Sequence, residues 1–125
     1  MRVYFLIALG GALGSVLRHF VFTHVGGSFP WGTLLINASG SFAIGVAAAL
    51  LAKGHWYPAE GGRLFFMTGI CGGYTTFSAF SLQTLNLARE GEWGRAGAYV
   101  AASVIASLAA VWIGFLTPGI LGPSR

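Results

Sequence analysis

The sequence predicts an all-α integral membrane protein with four transmembrane helices, and three observations carry that prediction. Only 8% of the residues are charged, against about 25% in an ordinary soluble domain. Apolar residues make up 55% of the chain, and they are gathered into long runs that contain no charge. The length of 125 residues leaves room for about four spans of roughly 20 residues each. On a soluble fold of this size, seven Lys/Arg and three Glu would leave most of the surface as bare hydrocarbon, so a soluble globular protein is excluded. The net charge of +4 is spread along the chain without a basic block or aromatic-basic interleaving, which argues against a nucleic-acid partner. The single cysteine, Cys71, excludes an internal disulfide, a zinc cage and a redox pair.

The uncharged runs set the element boundaries: a first span over residues 3–22, uncharged between Arg2 and Arg18 and extended to Phe22, then residues 31–52, 64–88 and 96–117, each long enough to cross the hydrocarbon. The first run begins after Arg2, as a signal peptide would, but Arg18-His19 stands where small residues should mark cleavage, so a retained span is the better reading. Between the spans lie turn-like stretches: Gly26-Gly27-Ser28-Phe29-Pro30, then Lys53 to Gly62 with Pro58, then Arg89 to Gly94. Pro118, followed by Gly119 and Pro123, should end the last helix. Trp31, Trp56, Tyr57 and Trp93 fall near span ends, where amphipathic rings prefer the interface. Gly10 and Gly14, and Gly69 and Gly73, stand four apart, the spacing that lets helix backbones approach closely in lipid. The Gly10-Gly11-Ala12-Leu13-Gly14 run therefore reads as helix packing rather than as a dinucleotide loop. No repeat or linker divides residues 1–125, which read as one membrane domain. Four helices enclose little, and an assembly of copies follows.

All three carboxylates, Glu60, Glu90 and Glu92, lie in connections. Proton-coupled transporters and cation pores place ionisable groups at membrane depth, so a small multidrug-type transporter is the disfavoured alternative, with a non-conducting helical scaffold as a third reading. Polar chemistry enters the spans instead as hydroxyls, carboxamides and backbone. Midway along the third span, Gly72-Gly73-Tyr74-Thr75-Thr76 is weak helix. A break there would free carbonyls suited to a hard cation such as Na⁺, or amides and hydroxyls suited to an anion; the alternative is a glycine kink that serves packing. Phe77 and Phe80 share a helix face just beyond, and a ring edge is positive enough to meet an anion, although such rings ordinarily just pack. Thr33, Asn37 and Ser41 repeat every four residues, as do Tyr99, Ser103 and Ser107, so each set faces one way, as interhelical glue or as the lining of a path. Arg18 suits an interfacial anchor or a charge that draws anions to a pore mouth. His19, His24 and His55 have no metal-ligand spacing.

Three motifs carry a family resemblance over nearly the whole chain. They are Gly10-Gly11-Ala12-Leu13-Gly14-Ser15 with Arg18, Gly32-Thr33-Leu34-Leu35-Ile36-Asn37 with Gly40, and Gly72-Gly73-Tyr74-Thr75-Thr76-Phe77-Ser78-Ala79-Phe80. In this order and at this length the chain resembles the Fluc (CrcB) fluoride channels of microbial membranes. The resemblance implies an antiparallel, dual-topology homodimer in the cytoplasmic membrane, with the third helix broken at Gly72–Thr75 and two fluoride pores along the subunit interface. It further implies a structural Na⁺ at the dimer centre, held by carbonyls of Gly72 and Thr75. The pore phenylalanines of the family match Phe77 and Phe80, and its pore asparagine matches Asn37. Its hydroxyl track matches Ser78 and Ser81, with Thr33 near the entrance, and Tyr99, Ser103 and Ser107 match its fourth-span lining. The family commonly has threonine where Ala79 stands, so one hydroxyl of the track is missing. The implied activity is passive fluoride export, which needs no covalent step and so no enzyme.

Overall fold

The computed structural model describes residues 1–54 and 60–121, and every regular element among them is helical. Helix α1 runs Arg2–His24 and α2 runs Trp31–Ala52. Residues 60–74 form α3: a turn at Glu60–Arg63, a π-helical stretch at Leu64–Cys71 whose hydrogen-bond ladder is widened to i→i+5, and a last turn at Gly72–Tyr74. Helix α4 runs Phe77–Arg89 and α5 runs Trp93–Leu121. Among the described residues, three helices are long and apolar enough to cross a membrane: α1, α2 and Trp93–Ile120 of α5. The region expected as one further span is divided between α3 and α4. Trp31 and Trp93 open α2 and α5 with exposed rings. His55, Trp56, Tyr57, Pro58, Pro123 and Arg125 lie outside the described residues.

Two boundaries differ from the sequence expectation. The last helix does not stop at Pro118 but continues to Leu121 with that proline inside it. Proline removes one ladder donor, and in lipid a chain leaving the helix would strand several more. One turn earlier, the Thr117 hydroxyl donates to the Ile113 carbonyl at 2.8 Å. The second difference concerns the third span. Gly72 is helical (φ −65°, ψ −39°), and the chain leaves the helix only at Thr75 (ψ 157°) and Thr76 (φ −152°, ψ 110°).

The glycines explain why they stay helical: they are the contact. Gly10 and Gly14 of α1 press on α3, where a Cβ on Gly10 would strike the Phe65 carbonyl and one on Gly14 the Ile70 carbonyl. A Cβ on Gly73 would strike the Gly11 carbonyl. The same device joins α2 to α5, with Gly45 against the Val111 carbonyl and Gly114 against the Phe42 carbonyl. Association in lipid comes from such packing rather than from a hydrophobic drive. The fold is accordingly two close pairs, α1 with α3 and α2 with α5, with α4 resting mainly on α5. The buried core is small and centres on Ile36, Ala47, Ala49 and Tyr99, while Phe5, Leu9, Val16, Leu108, Trp112 and Leu116 are exposed. That distribution belongs in hydrocarbon, not in water.

Candidate functional site

The interruption between α3 and α4 is built so that its backbone is not left bare. The Thr76 N–H, which a continuous helix would direct to the Gly72 carbonyl, donates instead to Oδ1 of Asn37 at 2.8 Å. Nδ2 of Asn37 returns a bond to the Thr76 carbonyl at 3.1 Å. One carboxamide thus replaces both ladder partners of one extended residue. Thr76 also caps α4, its hydroxyl accepting from Ala79 N–H at 3.1 Å, the usual role of a threonine at a helix start. On the other side, Thr75 closes α3 with both its N–H (3.0 Å) and its hydroxyl (2.9 Å) on the Cys71 carbonyl.

This rewiring has a consequence for the carbonyls. The donor that would have reached the Gly72 carbonyl is spent on Asn37, and the Ala79 N–H that would have reached the Thr75 carbonyl is spent on the Thr76 hydroxyl. Both oxygens are released from the ladder. Gly72 lies on the exposed surface of the single chain and Thr75 is half-buried. Neutral carbonyl oxygens freed from a helix suit a hard cation of low charge. Among the described residues no cluster of three His, Cys, Asp or Glu offers a metal site of another kind.

An open cleft of about 420 Å³ lies beside the break. It brings together Asn37, Gly72, Thr75, Phe77, Phe80, Ser103 and Ser107, so seven of the residues singled out from the sequence line one space. Ser41 lines it as well, which means the polar stripes of α2 and α5 converge there. The Phe77 and Phe80 rings stand 5.3 Å apart at 48°. Phe77 is 78% exposed, an apolar ring presented outward from the chain that carries it. The N-terminal end of α4, with its positive dipole end, opens at the same place.

Five expected residues lie elsewhere. Ser78 and Ser81 stand on the exposed side of α4 and do not line the cleft. The Ser81 hydroxyl is returned to the Phe77 carbonyl at 2.9 Å, and that of Ser78 lies 3.2 Å from the Thr76 hydroxyl. Thr33 and Arg18 line a second pocket of about 270 Å³ with Ser15, Thr76 and Ala79. Thr76 therefore borders both spaces, with the break as the wall between them. Tyr99 is fully buried behind the cleft, packed on Phe80 at 5.3 Å and donating its hydroxyl to Oε1 of Gln83 at 2.9 Å. The buried hydroxyls of Thr33 and Ser103 lie beside that of Tyr99, but neither makes a hydrogen bond of full geometry with it or with another described residue. Such groups are costly unless water or an ion satisfies them.

Sequence reasoning missed two participants. Thr76 was legible as a hydroxyl near the rings but not as the pivot of the break, because its partner Asn37 is 39 positions away. Gln83 left no local signal beyond being one of several polar residues on α4.

The family described as "CrcB-like protein, Camphor Resistance (CrcB)" matches residues 5–115. A protein of Opitutus terrae named "Fluoride-specific ion channel FluC" is 54% identical over 121 residues, covering 93% of this chain and 92% of its own length. A protein of the same name from Methylocella silvestris is 54% identical over 116 residues, covering 89% and 88%. Another from Paramagnetospirillum magneticum is 48% identical over 126 residues, covering 97% and 98%.

Proposed function

The chain belongs to the CrcB-like family, and from that premise we propose that it is a multi-pass membrane protein forming a passive, fluoride-selective channel. In this reading it sits in the cytoplasmic membrane and lets fluoride leave the cell. Hydrogen fluoride crosses lipid as a neutral acid and ionises in a less acidic cytoplasm, where the anion is trapped; a selective leak releases it down its electrochemical gradient and so limits toxicity.

The observation that carries the reading is the pairing of a backbone break with two phenylalanine rings on one open cleft. Fluoride is small and strongly hydrated, so a path through hydrocarbon must replace its water. Ring edges of Phe77 and Phe80 offer partial positive charge. The second N–H of the Asn37 amide, the hydroxyls of Ser103 and Ser107, and the start of α4 offer donors. Ser78, Ser81, Thr33 and Tyr99 extend the hydroxyl track toward its ends, and Arg18 raises the local anion concentration at a mouth.

The functional unit in this reading is an antiparallel homodimer. An exposed Phe77 and an exposed Gly72 on one face favour completion of the site by a second copy. With four crossings, Arg2, Lys53, Arg63 and Arg125 share one side, and Arg18, Arg89 and Arg95 the other. A difference of one positive residue gives little orientation instruction, so both orientations insert and can meet. The Gly72 and Thr75 carbonyls would then hold a structural Na⁺ between the subunits. When bound, that ion supplies a fixed positive charge close to the anion path.

The test is purified protein in liposomes, read by a fluoride electrode. Fluoride should leave once a potassium ionophore removes the opposing voltage, while chloride stays largely inside. Equal rates for the two anions would refute selectivity, and absence of fluoride release would favour a scaffold.

A further inference from the structure

Far from the break, the connection between α1 and α2 is held by one side chain. Gly27 takes a φ of +137°, which suits glycine and which a larger side chain rarely adopts. The turn it allows brings Ser28 and Phe29 over the start of α5. There the Arg95 guanidinium donates to the Ser28 carbonyl at 2.7 Å and to its hydroxyl at 3.1 Å, and to Oε2 of Glu92 at 2.6 Å. The same guanidinium lies 6.0 Å from the centre of the Phe29 ring. A planar fork with several donors can hold these three acceptors and lie near a ring at once, which the point charge of a lysine does less well.

From Phe29 the contact chain runs inward without a gap. Phe29 meets Tyr99 edge to face at 5.5 Å and 87°. Tyr99, fully buried, meets Phe80 at 5.3 Å and 49°, and Phe80 meets Phe77 at 5.3 Å. Leu87 and Ala96 complete the packing around Tyr99. Each ring thus has its tilt set by the ring outside it, and the outermost is tied to Arg95.

We propose that Arg95 is a positioning residue for the anion path: through Phe29 and Tyr99 it sets the angle at which the Phe80 edge faces the cleft. The proposal rests on the fluoride-channel reading for its effect on flux, but not for the mechanical link from Arg95 to Phe80. Rings are matched by offset and tilt, and one well-placed aromatic contact is worth up to about 1.5 kcal/mol, close to tenfold.

The test uses the full-length protein with 4-fluorophenylalanine incorporated at position 80, observed by fluorine NMR, alongside fluoride flux of the unlabelled protein. Arg95→Ala and Phe29→Leu should each move the fluorine resonance of position 80 and lower flux about tenfold, with the dimer peak in size exclusion retained. Phe29→Leu removes no charge and carries the test alone if Arg95→Ala fails to assemble. The control is Arg89→Ala, which removes the same charge from an exposed site on the same side and so changes the orientation balance equally; it should leave resonance and flux unchanged. A wild-type resonance in both Arg95→Ala and Phe29→Leu would overturn the proposal, as would a loss of flux shared equally by Arg89→Ala. If the wild-type protein carried no fluoride, the channel reading would fail while the resonance shifts still decided the link.

Discussion

The α2–α5 pair and the α3–α4 break solve the same problem in opposite ways. Both must bring polar backbone into a hydrocarbon setting without leaving it unsatisfied. Between α2 and α5 the ladders stay whole, and Gly45 and Gly114 let carbonyl oxygens of one helix lie against the glycines of the other. Between α3 and α4 the ladder is cut, and side chains from elsewhere replace the lost bonds, Asn37 on both sides of Thr76 and the Thr76 hydroxyl on Ala79. The first arrangement leaves nothing for a ligand to bind. The second leaves two carbonyls without their helical donors, beside rings and hydroxyls. In the proposed channel, the chemistry would lie where the backbone is rewired.

The largest effect should come from spoiling the intact pair. Gly114→Leu forces a side chain into the Phe42 backbone, where neither partner can yield as a flexible side chain would. Overpacking of this kind costs about 1–3 kcal/mol or more, so the variant should give no dimer peak on size exclusion. A normal yield of dimer would show that the two helices are not in close backbone contact.

Next in size is Asn37→Ala, which leaves the Thr76 N–H and carbonyl without their partners. Each unsatisfied buried group costs about 1–3 kcal/mol. The variant should lose fluoride flux and unfold at lower temperature in detergent, yet still assemble. Unchanged melting would mean that the break holds its shape without the carboxamide.

The mildest intervention leaves the chain untouched. Replacing Na⁺ by a large organic cation on both sides should lower flux slowly, because a bound structural ion must leave before its loss is felt. Indifference to prolonged and thorough exchange would reduce the break to a kink.

The contrast also explains what the sequence made legible. Trp31–Ala52 was bounded to the residue, because an uncharged run with tryptophan at one end and lysine after the other needs no tertiary information. The Gly10/Gly14 and Gly69/Gly73 spacings likewise announced a helix contact that the structure contains. The break falls at the threonine end of the expected Gly72–Thr75 stretch, reaching Thr76, for a reason that propensity scales omit. Glycine weakens a helix in water, but in lipid a helix is also the way to satisfy the backbone, and Gly73 is needed for contact with Gly11. The chain opens instead where a distant carboxamide can take over the bonds. The widened turns at Leu64–Cys71 left no mark in the residue pattern. Of the polar candidates on the stripes of α2 and α5, Asn37, Ser41, Ser103 and Ser107 share one cleft, while Thr33 and Tyr99 lie outside it. Ser78 and Ser81 also lie outside it, because their side of α4 faces outward in the single chain.

The central claim is that the rings beside the break conduct fluoride rather than merely pack, and Phe80→Ile tests it most directly. Isoleucine keeps the position apolar and branched but removes the positive ring edge. Fluoride efflux from liposomes should fall to the protein-free background while the purified dimer remains intact. Wild-type efflux from an intact Phe80→Ile dimer would contradict the account and return Phe80 to packing.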